Sequence, residues 1–211
     1  MVGKIKYDKA YFMEGKDSNY INYPEQVTTK TIVVANDLDR EFDLKRKHVL
    51  DYGCAMGILV RELRLRGVNA FGTDISDYAI SEGKKMSYYS NIWCLDDFID
   101  ISFLKYYNRD MLTWLWDYVL FLDVLEHIEE NELRDLLKLV KTKKIIVKIP
   151  ICNKEGEDFV FEASRKDKTH VTKHTKRWWK KLFKDFGFKK FTPINTTYLF
   201  DSEGVLCGVF E

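Results

Sequence analysis

Hydrophobic and polar residues change period along this chain, and the changes mark its elements. His48-Val49-Leu50-Asp51-Tyr52 is a short apolar run closed by Gly53, which predicts a strand. From Ile58 to Arg66 the spacing becomes helical, and Gly67 suits the C-terminal cap. Asn69–Asp74 predicts a second strand, and Ser76 is placed to cap the helix that follows. Asn91–Leu95 is a short third strand. Tyr118–Leu122 is apolar throughout, as a strand buried on both faces should be. Asn131–Val140 reads as a helix, Lys144–Ile149 as a fifth strand stopped by Pro150, and Thr175–Phe186 as a helix ending at Gly187. Phe188–Ile194 and Val205–Phe210 close the series as strands. Strands alternating with helices predict an α/β, doubly wound sheet with helices on both faces.

The segment before this series differs. Residues 1–45 hold Tyr7, Tyr11, Phe12, Tyr20 and Tyr23 around a loop-forming stretch, Gly15 to Asn19. Pro24–Phe42 follows with the apolar spacing of a helix. We expect a single domain, 1–211, with 1–45 as a helical, lid-like extension.

Composition agrees with a folded domain: 45% of the 211 residues are hydrophobic and 32% are charged. The net charge of +1 gives no overall drive toward nucleic acid or membrane. One local asymmetry stands out, because residues 165–190 carry eleven Lys or Arg against Asp167 and Asp185. A solvated helix face and a nucleic-acid surface both fit that pattern. No stretch has the ~20 apolar residues of a membrane span. The N-terminus lacks the apolar core of a signal peptide. Cys54, Cys94, Cys152 and Cys207 form no CxxC pair, so we expect free thiols, no metal site and a cytoplasmic setting.

The chemistry concentrates at strand ends. Asp51-Tyr52-Gly53-Cys54-Ala55-Met56-Gly57 spans a strand-to-helix junction, where glycine permits a tight turn and close approach of a ligand. The helix that follows offers unpaired N–H groups. Asp74 ends the next strand, where an acid can accept both hydroxyls of a ribose. Asp96 and Asp97 end the third, where an adenine edge would lie. An α/β domain with polar loops and no ligand is the plainer alternative.

Asp51-x-Gly53-x-x-x-Gly57 resembles the first motif of class I, Rossmann-like S-adenosylmethionine-dependent methyltransferases. Asp117 to Ile128, with its Asp123-Val-Leu-Glu126-His127-Ile128 run, resembles their fourth-strand motif. That run is common in the branch that modifies small molecules (the type 11 and 12 kind). The resemblance spans roughly residues 48–211 and implies a seven-stranded, mainly parallel sheet with its last strand antiparallel. It implies S-adenosylmethionine as cofactor and S-adenosylhomocysteine as product. Asp51 and Gly53, with Cys54 and Gly57, would shape the methionine pocket. Asp74, next to Ile75, would hold the ribose, and Asp96 or Asp97 the adenine. Leu122 and Asp123 would flank the amino-acid end. The family usually has glycine where this chain has Ala55. A sulfonium attracts acids and aromatic faces, so the N-terminal tyrosines, Tyr11 first, are candidates to cover it; packing on the sheet explains them as well.

Methyl transfer needs a positioned nucleophile and, for a hydroxyl acceptor, a base. The candidates are His170, in Asp167-Lys-Thr-His170, and His127, which also suits support of the next helix. A loop histidine at the surface is the alternative for His170. Trp178 and Trp179 should divide between core and solvent, or offer a stacking platform. We expect a small-molecule acceptor, O- or N-methylated. An RNA-directed enzyme using residues 165–190 and a non-catalytic cofactor-binding protein remain alternatives. The strand-four run lacks the Pro-Pro-Tyr turn of base N-methylation, and Gly53-x-x-x-Gly57 is not the GxGxxG of nicotinamide enzymes.

Overall fold

A computed structural model describes residues 7–86, 91–95 and 115–211. They fall into two compact units, one before residue 112 and one from it onward. The first runs α1 (Lys9–Met13), α2 (Tyr23–Phe42), β1 (His48–Tyr52), α3 (Ile58–Leu65), β2 (Asn69–Asp74), α4 (Asp77–Met86) and β3 (Ile92–Cys94). β1 pairs with β2, and β2 with β3, all in parallel. The second runs β4 (Trp116–Leu122), a 3-10 turn (Leu125–His127), α5 (Glu130–Leu139), β5 (Thr142–Pro150), α6 (Glu162–Lys166), α7 (Lys176–Asp185), β6 (Phe191–Pro193) and β7 (Val205–Phe210). β4 and β5 are parallel; β7 is antiparallel to both β5 and β6. The strands form a seven-stranded sheet in the order β3-β2-β1-β4-β5-β7-β6.

The local reasons are legible. In β4 and β5, Val119, Leu120, Phe121, Ile145, Ile146 and Val147 are all fully buried, which is why these strands read as continuous apolar runs. In α7, Trp179, Leu182 and Phe183 sit one helical turn apart and are buried, worth roughly 1.5–3 kcal/mol each. Thr175 Oγ1 caps that helix by accepting from the Trp178 N–H. Ser76 does the same for α4 through the Ala79 N–H.

The structure departs from the sequence pattern in short elements. The helix α1 was not expected; Asp8 nucleates it by accepting from the Ala10 and Tyr11 N–H groups. The 3-10 turn and α6 are likewise too short to show a period. The sixth strand is only Phe191–Pro193, not Phe188–Ile194, because Gly187 and Phe188 close the end of α7 with N–H bonds to Lys184 and Phe183. No helix among the described residues is long and apolar enough to cross a membrane.

Candidate active site

In the first unit the β1–α3 turn is tied to the end of β2. The Gly53 and Cys54 N–H groups both donate to the Thr73 carbonyl, at 2.8 and 3.0 Å. Gly53, Ala55 and Gly57 have φ of +80°, +48° and +71°. Glycine adopts that region freely, whereas a residue with a Cβ gives up about 1–2 kcal/mol there. This is why Ala55 is the departure that matters. Its strained turn is anchored by Asp74: Oδ2 accepts the Ala55 N–H and Oδ1 the Ser76 N–H, each at 2.8 Å.

Asp74 therefore helps to build the turn itself. Burial raises its carboxyl, and bonds from the Ser76 and Ala55 N–H groups work against that rise. Asp74→Ala is expected to weaken S-adenosylmethionine binding by roughly 1–3 kcal/mol. Because the Ala55 N–H then loses its acceptor, the variant should also melt at a lower temperature than the parent. Calorimetric titration and a thermal melt on the same preparation check both. Unchanged affinity in a folded variant would assign the ribose to another acid.

Asp51, 5% exposed, sits at the end of β1. Burial first, then the Asp74 carboxylate, push it up to about 7. The same acids, after burial, help raise the Cys54 thiol. Burial, the neighbouring Tyr20 and the two acids raise the Tyr23 phenol. Around this acidic spot the N-terminal aromatics are gathered. Tyr11 and Phe12 pack with Ala55, Met56 and Ala79, joined by Tyr7, Tyr20, Tyr23 and Tyr78. Tyr11 meets Tyr7 edge-on at 5.0 Å and Tyr20 at 5.9 Å. Ser76 Oγ donates to the Tyr7 carbonyl and ties the segment to the end of β2. Two acids, Asp51 buried and Asp74 half-buried, whose ionisation desolvation opposes, next to aromatic faces, suit a cationic ligand such as a sulfonium with an α-ammonium. Ile75 is exposed beside Asp74. Asp96 and Asp97 lie outside the described residues.

In the second unit the chain turns sharply after β4. Leu122 is half-buried, and Asp123 takes a left-handed φ of +57°, a strain that persists only where its surroundings enforce it. Two bonds do so: its N–H donates to the Lys148 carbonyl at 2.8 Å, and its carboxylate accepts from the Lys148 ammonium. Burial works to lower the Lys148 ammonium, but the Asp123 carboxylate outweighs it and the net shift is upward.

Beyond this turn His127 and His170 come together, with ring centroids 4.5 Å apart. The Glu126 carbonyl accepts both the Val171 and Thr172 N–H groups at 2.9 Å, which brings the His170 segment alongside the 3-10 turn. Hydrogen-bond chemistry places the ring protons. Thr169 Oγ1 donates its one proton to Asp167 at 2.5 Å, so it accepts from His127 Nδ1–H at 2.7 Å. His170 Nδ1 lies 2.8 Å from the Ser164 carbonyl, which can only accept. Each ring therefore carries its lone pair on Nε2. Burial, then the neighbouring His170, lower His127 to about 4. Burial likewise lowers His170, whose side chain is 8% exposed. Both rings are neutral at neutral pH. His170 is thus not the surface-loop histidine that remained an alternative, and Nε2 points to Glu126 Oε1 at 3.9 Å. Sequence reasoning gave no role to Glu126, Thr169 or Lys148. The one visible signal was Lys148 interrupting the apolar run of β5.

Trp179 is buried and Trp178 half-buried, as the helical spacing implied. Trp178 stacks on His174 at 3.7 Å, so that face is already covered within the chain. Much of the basic segment is compensated locally: Lys166 pairs with Glu162, Lys173 with Asp158, Lys176 with Asp201 and Lys181 with Asp185.

A family model described as a methyltransferase domain matches residues 32–192. No curated protein matches the sequence. Among solved structures, the fold is similar to magnesium protoporphyrin IX methyltransferase from Synechocystis PCC 6803 with bound S-adenosylmethionine. That match has a TM-score of 0.52 at 18% identity and covers 91% of this chain and 82% of that one. A S-adenosylmethionine-dependent methyltransferase from Archaeoglobus fulgidus gives a TM-score of 0.61 at 17% identity, covering 92% and 99%. The N-terminal domain of EvdMO1, solved with S-adenosylhomocysteine and D-fucose, gives 0.60 at 14%, covering 85% and 81%. With the matched domain, the seven-stranded sheet and the acid-lined β1–α3 turn all in agreement, the chain belongs to the methyltransferase domain family and is a class I, Rossmann-like, S-adenosylmethionine-dependent methyltransferase.

Proposed function

We propose that this enzyme methylates an oxygen or nitrogen of a small-molecule acceptor, and that His170, seconded by His127, handles the acceptor's proton. The observation that supports this reading is the pair of neutral, largely buried imidazoles, each held as the Nδ1–H tautomer, in which Nε2 is the basic nitrogen. When bound, S-adenosylmethionine supplies a methyl carbon activated by an adjacent sulfonium. The chain's own part is to bind, orient and exclude water. Asp51, Gly53, Cys54 and Gly57 receive the methionine portion, and Asp74 with Ile75 the ribose. Asp96 or Asp97 meets the adenine, and Leu122 and Asp123 flank the amino-acid end. Tyr11 and its aromatic neighbours cover the sulfonium. In this reading the chain works as one domain, 1–211, with 1–45 as its cover, in a reducing cytoplasm. None of its four cysteines is in a disulfide, and all four are buried.

The test has two stages. Calorimetry should show binding of S-adenosylmethionine or S-adenosylhomocysteine and no comparable binding of NAD. Turnover across fractionated metabolites, read as S-adenosylhomocysteine formed, should then reveal an acceptor. Tighter binding of NAD would sink the cofactor assignment. Turnover only with RNA, together with a salt-sensitive gel shift, would move the acceptor to nucleic acid through residues 165–190. Binding with no turnover on any acceptor would leave a non-catalytic cofactor-binding protein.

A further inference from the structure

We propose that Glu126, His127 and His170 form a binding site for one divalent first-row transition ion. The inference builds on the acid–base reading of the same cluster and deepens it.

Three observations carry it. The first is position: one ligand atom from each side chain lies within 4.8 Å of the others. Metal–ligand bonds of about 2.0–2.2 Å hold neighbouring ligand atoms roughly 3–3.5 Å apart. Side-chain rotations that draw the three atoms in by about an ångström would therefore complete the set. The second is Glu126. Its side chain is 1% exposed, and Oε2 has no hydrogen-bond partner among the described residues. A buried carboxylate oxygen without a donor is costly and calls for a proton or a cation.

The third observation is the setting of the imidazoles. A metal-binding histidine typically donates its other ring N–H to a carbonyl, carboxylate or similar acceptor, which fixes tautomer and ring plane. Here His170 Nδ1–H donates to the Ser164 carbonyl, and His127 Nδ1–H to Thr169 Oγ1, itself bonded to the Asp167 carboxylate. In this tautomer Nε2 is the ring nitrogen that offers a lone pair to a metal.

Two imidazoles and one carboxylate suit Zn²⁺, Mn²⁺, Co²⁺ or Fe²⁺ rather than Ca²⁺, and leave coordination positions open. An acceptor hydroxyl in an open position would become more acidic, so the ion would do the work assigned above to the free imidazole.

The experiment uses the full chain, purified without a metal-affinity tag, stripped with EDTA and dialysed. Titration with Co²⁺, followed by visible absorption, and with Zn²⁺ and Mn²⁺ by calorimetry, should show one ion per chain. Glu126→Gln and His170→Ala should weaken binding by about 100-fold or more. Thr169→Val, which removes the acceptor of His127 Nδ1–H together with the hydroxyl that links it to Asp167, should weaken it by about 10–100-fold. His174→Ala, on a different histidine paired with Glu155, should bind like the parent. Circular dichroism confirms that each variant is folded. No ion bound by the parent chain, or unchanged binding in folded Glu126→Gln and His170→Ala, overturns the site. Metal-free chain that transfers methyl groups at the same rate in EDTA overturns the ion's part in the reaction. Stoichiometric binding by a chain with no methyl transfer upholds the site and overturns the functional reading instead.

Discussion

His170→Ala is expected to lower methyl-transfer turnover on a hydroxyl acceptor by about 10²–10⁴-fold, the usual cost of deleting a proton-transfer group. S-adenosylmethionine affinity should stay within about twofold, because His170 is not among the residues proposed to receive the cofactor, of which Asp51 and Asp74 stand on β1 and β2. His170 is the stronger choice of the two imidazoles. Burial and the neighbouring His170 ring hold His127 at about 4; the Asp167 carboxylate opposes the downward shift at both rings, and at His170 it is the largest cause after burial. An imidazole pushed that low retains little affinity for a proton from a hydroxyl. His127→Ala should accordingly cost less. Single-turnover rates with S-adenosylmethionine saturating separate the chemical step from binding. A His170→Ala variant that keeps a near-normal rate would show that proximity alone drives transfer, or that the acceptor is an amine or thiol needing no base.

The second large effect has opposite signs for stability and for binding. Asp51→Asn should make the free protein more stable above pH 7 and bind S-adenosylmethionine more weakly. In the unfolded chain Asp51 titrates near 3.8; in the fold, burial and the Asp74 carboxylate hold it at about 7. Between those values the folded state binds the extra proton. Its stability is therefore highest below pH 4, falls as pH rises toward 7, and levels off above. Ionising such a carboxyl takes up to about 4 kcal/mol from the fold at pH 8. Asparagine removes that slope. The cofactor brings positive charge and favours the ionised form, so parent affinity should rise with pH through 7, and binding below 7 should release a proton. Loss of a charged hydrogen-bonding partner should weaken binding by roughly 1.5–3 kcal/mol in the variant. Melting curves and calorimetry from pH 5 to 9 would show both effects. Parallel melting profiles for parent and variant across that range would refute the buried-carboxyl account.

Much of the frame was legible in one dimension because its causes are local. Period-two and period-3.6 patterns arise from the geometry of strand and helix, and residues such as Val49-Leu50 or Trp179, Leu182 and Phe183 report them directly. β1, β2 and β7 begin and end where the pattern places them. The Asp51-Gly53-Gly57-Asp74 arrangement was also readable, since a turn needing positive φ declares itself through glycine. What stayed hidden was non-local. Nothing in the spacing says that Asp74 would spend its oxygens on the Ala55 and Ser76 N–H groups, or that an alanine could hold a left-handed turn with that help. The bond between His127 and Thr169 crosses 42 residues of chain, and it decides which ring nitrogen carries the proton. The environment that makes Asp51 a poor acid and leaves Glu126 Oε2 without a donor is likewise a property of burial, created only when distant segments exclude water together. Sequence alone therefore determined the order of the elements and the acids at their ends, because backbone geometry and side-chain period act over a few residues. Tertiary structure alone decided protonation, pairing and the meeting of the two histidines, because desolvation and hydrogen bonding act between residues that neighbour one another only in the fold.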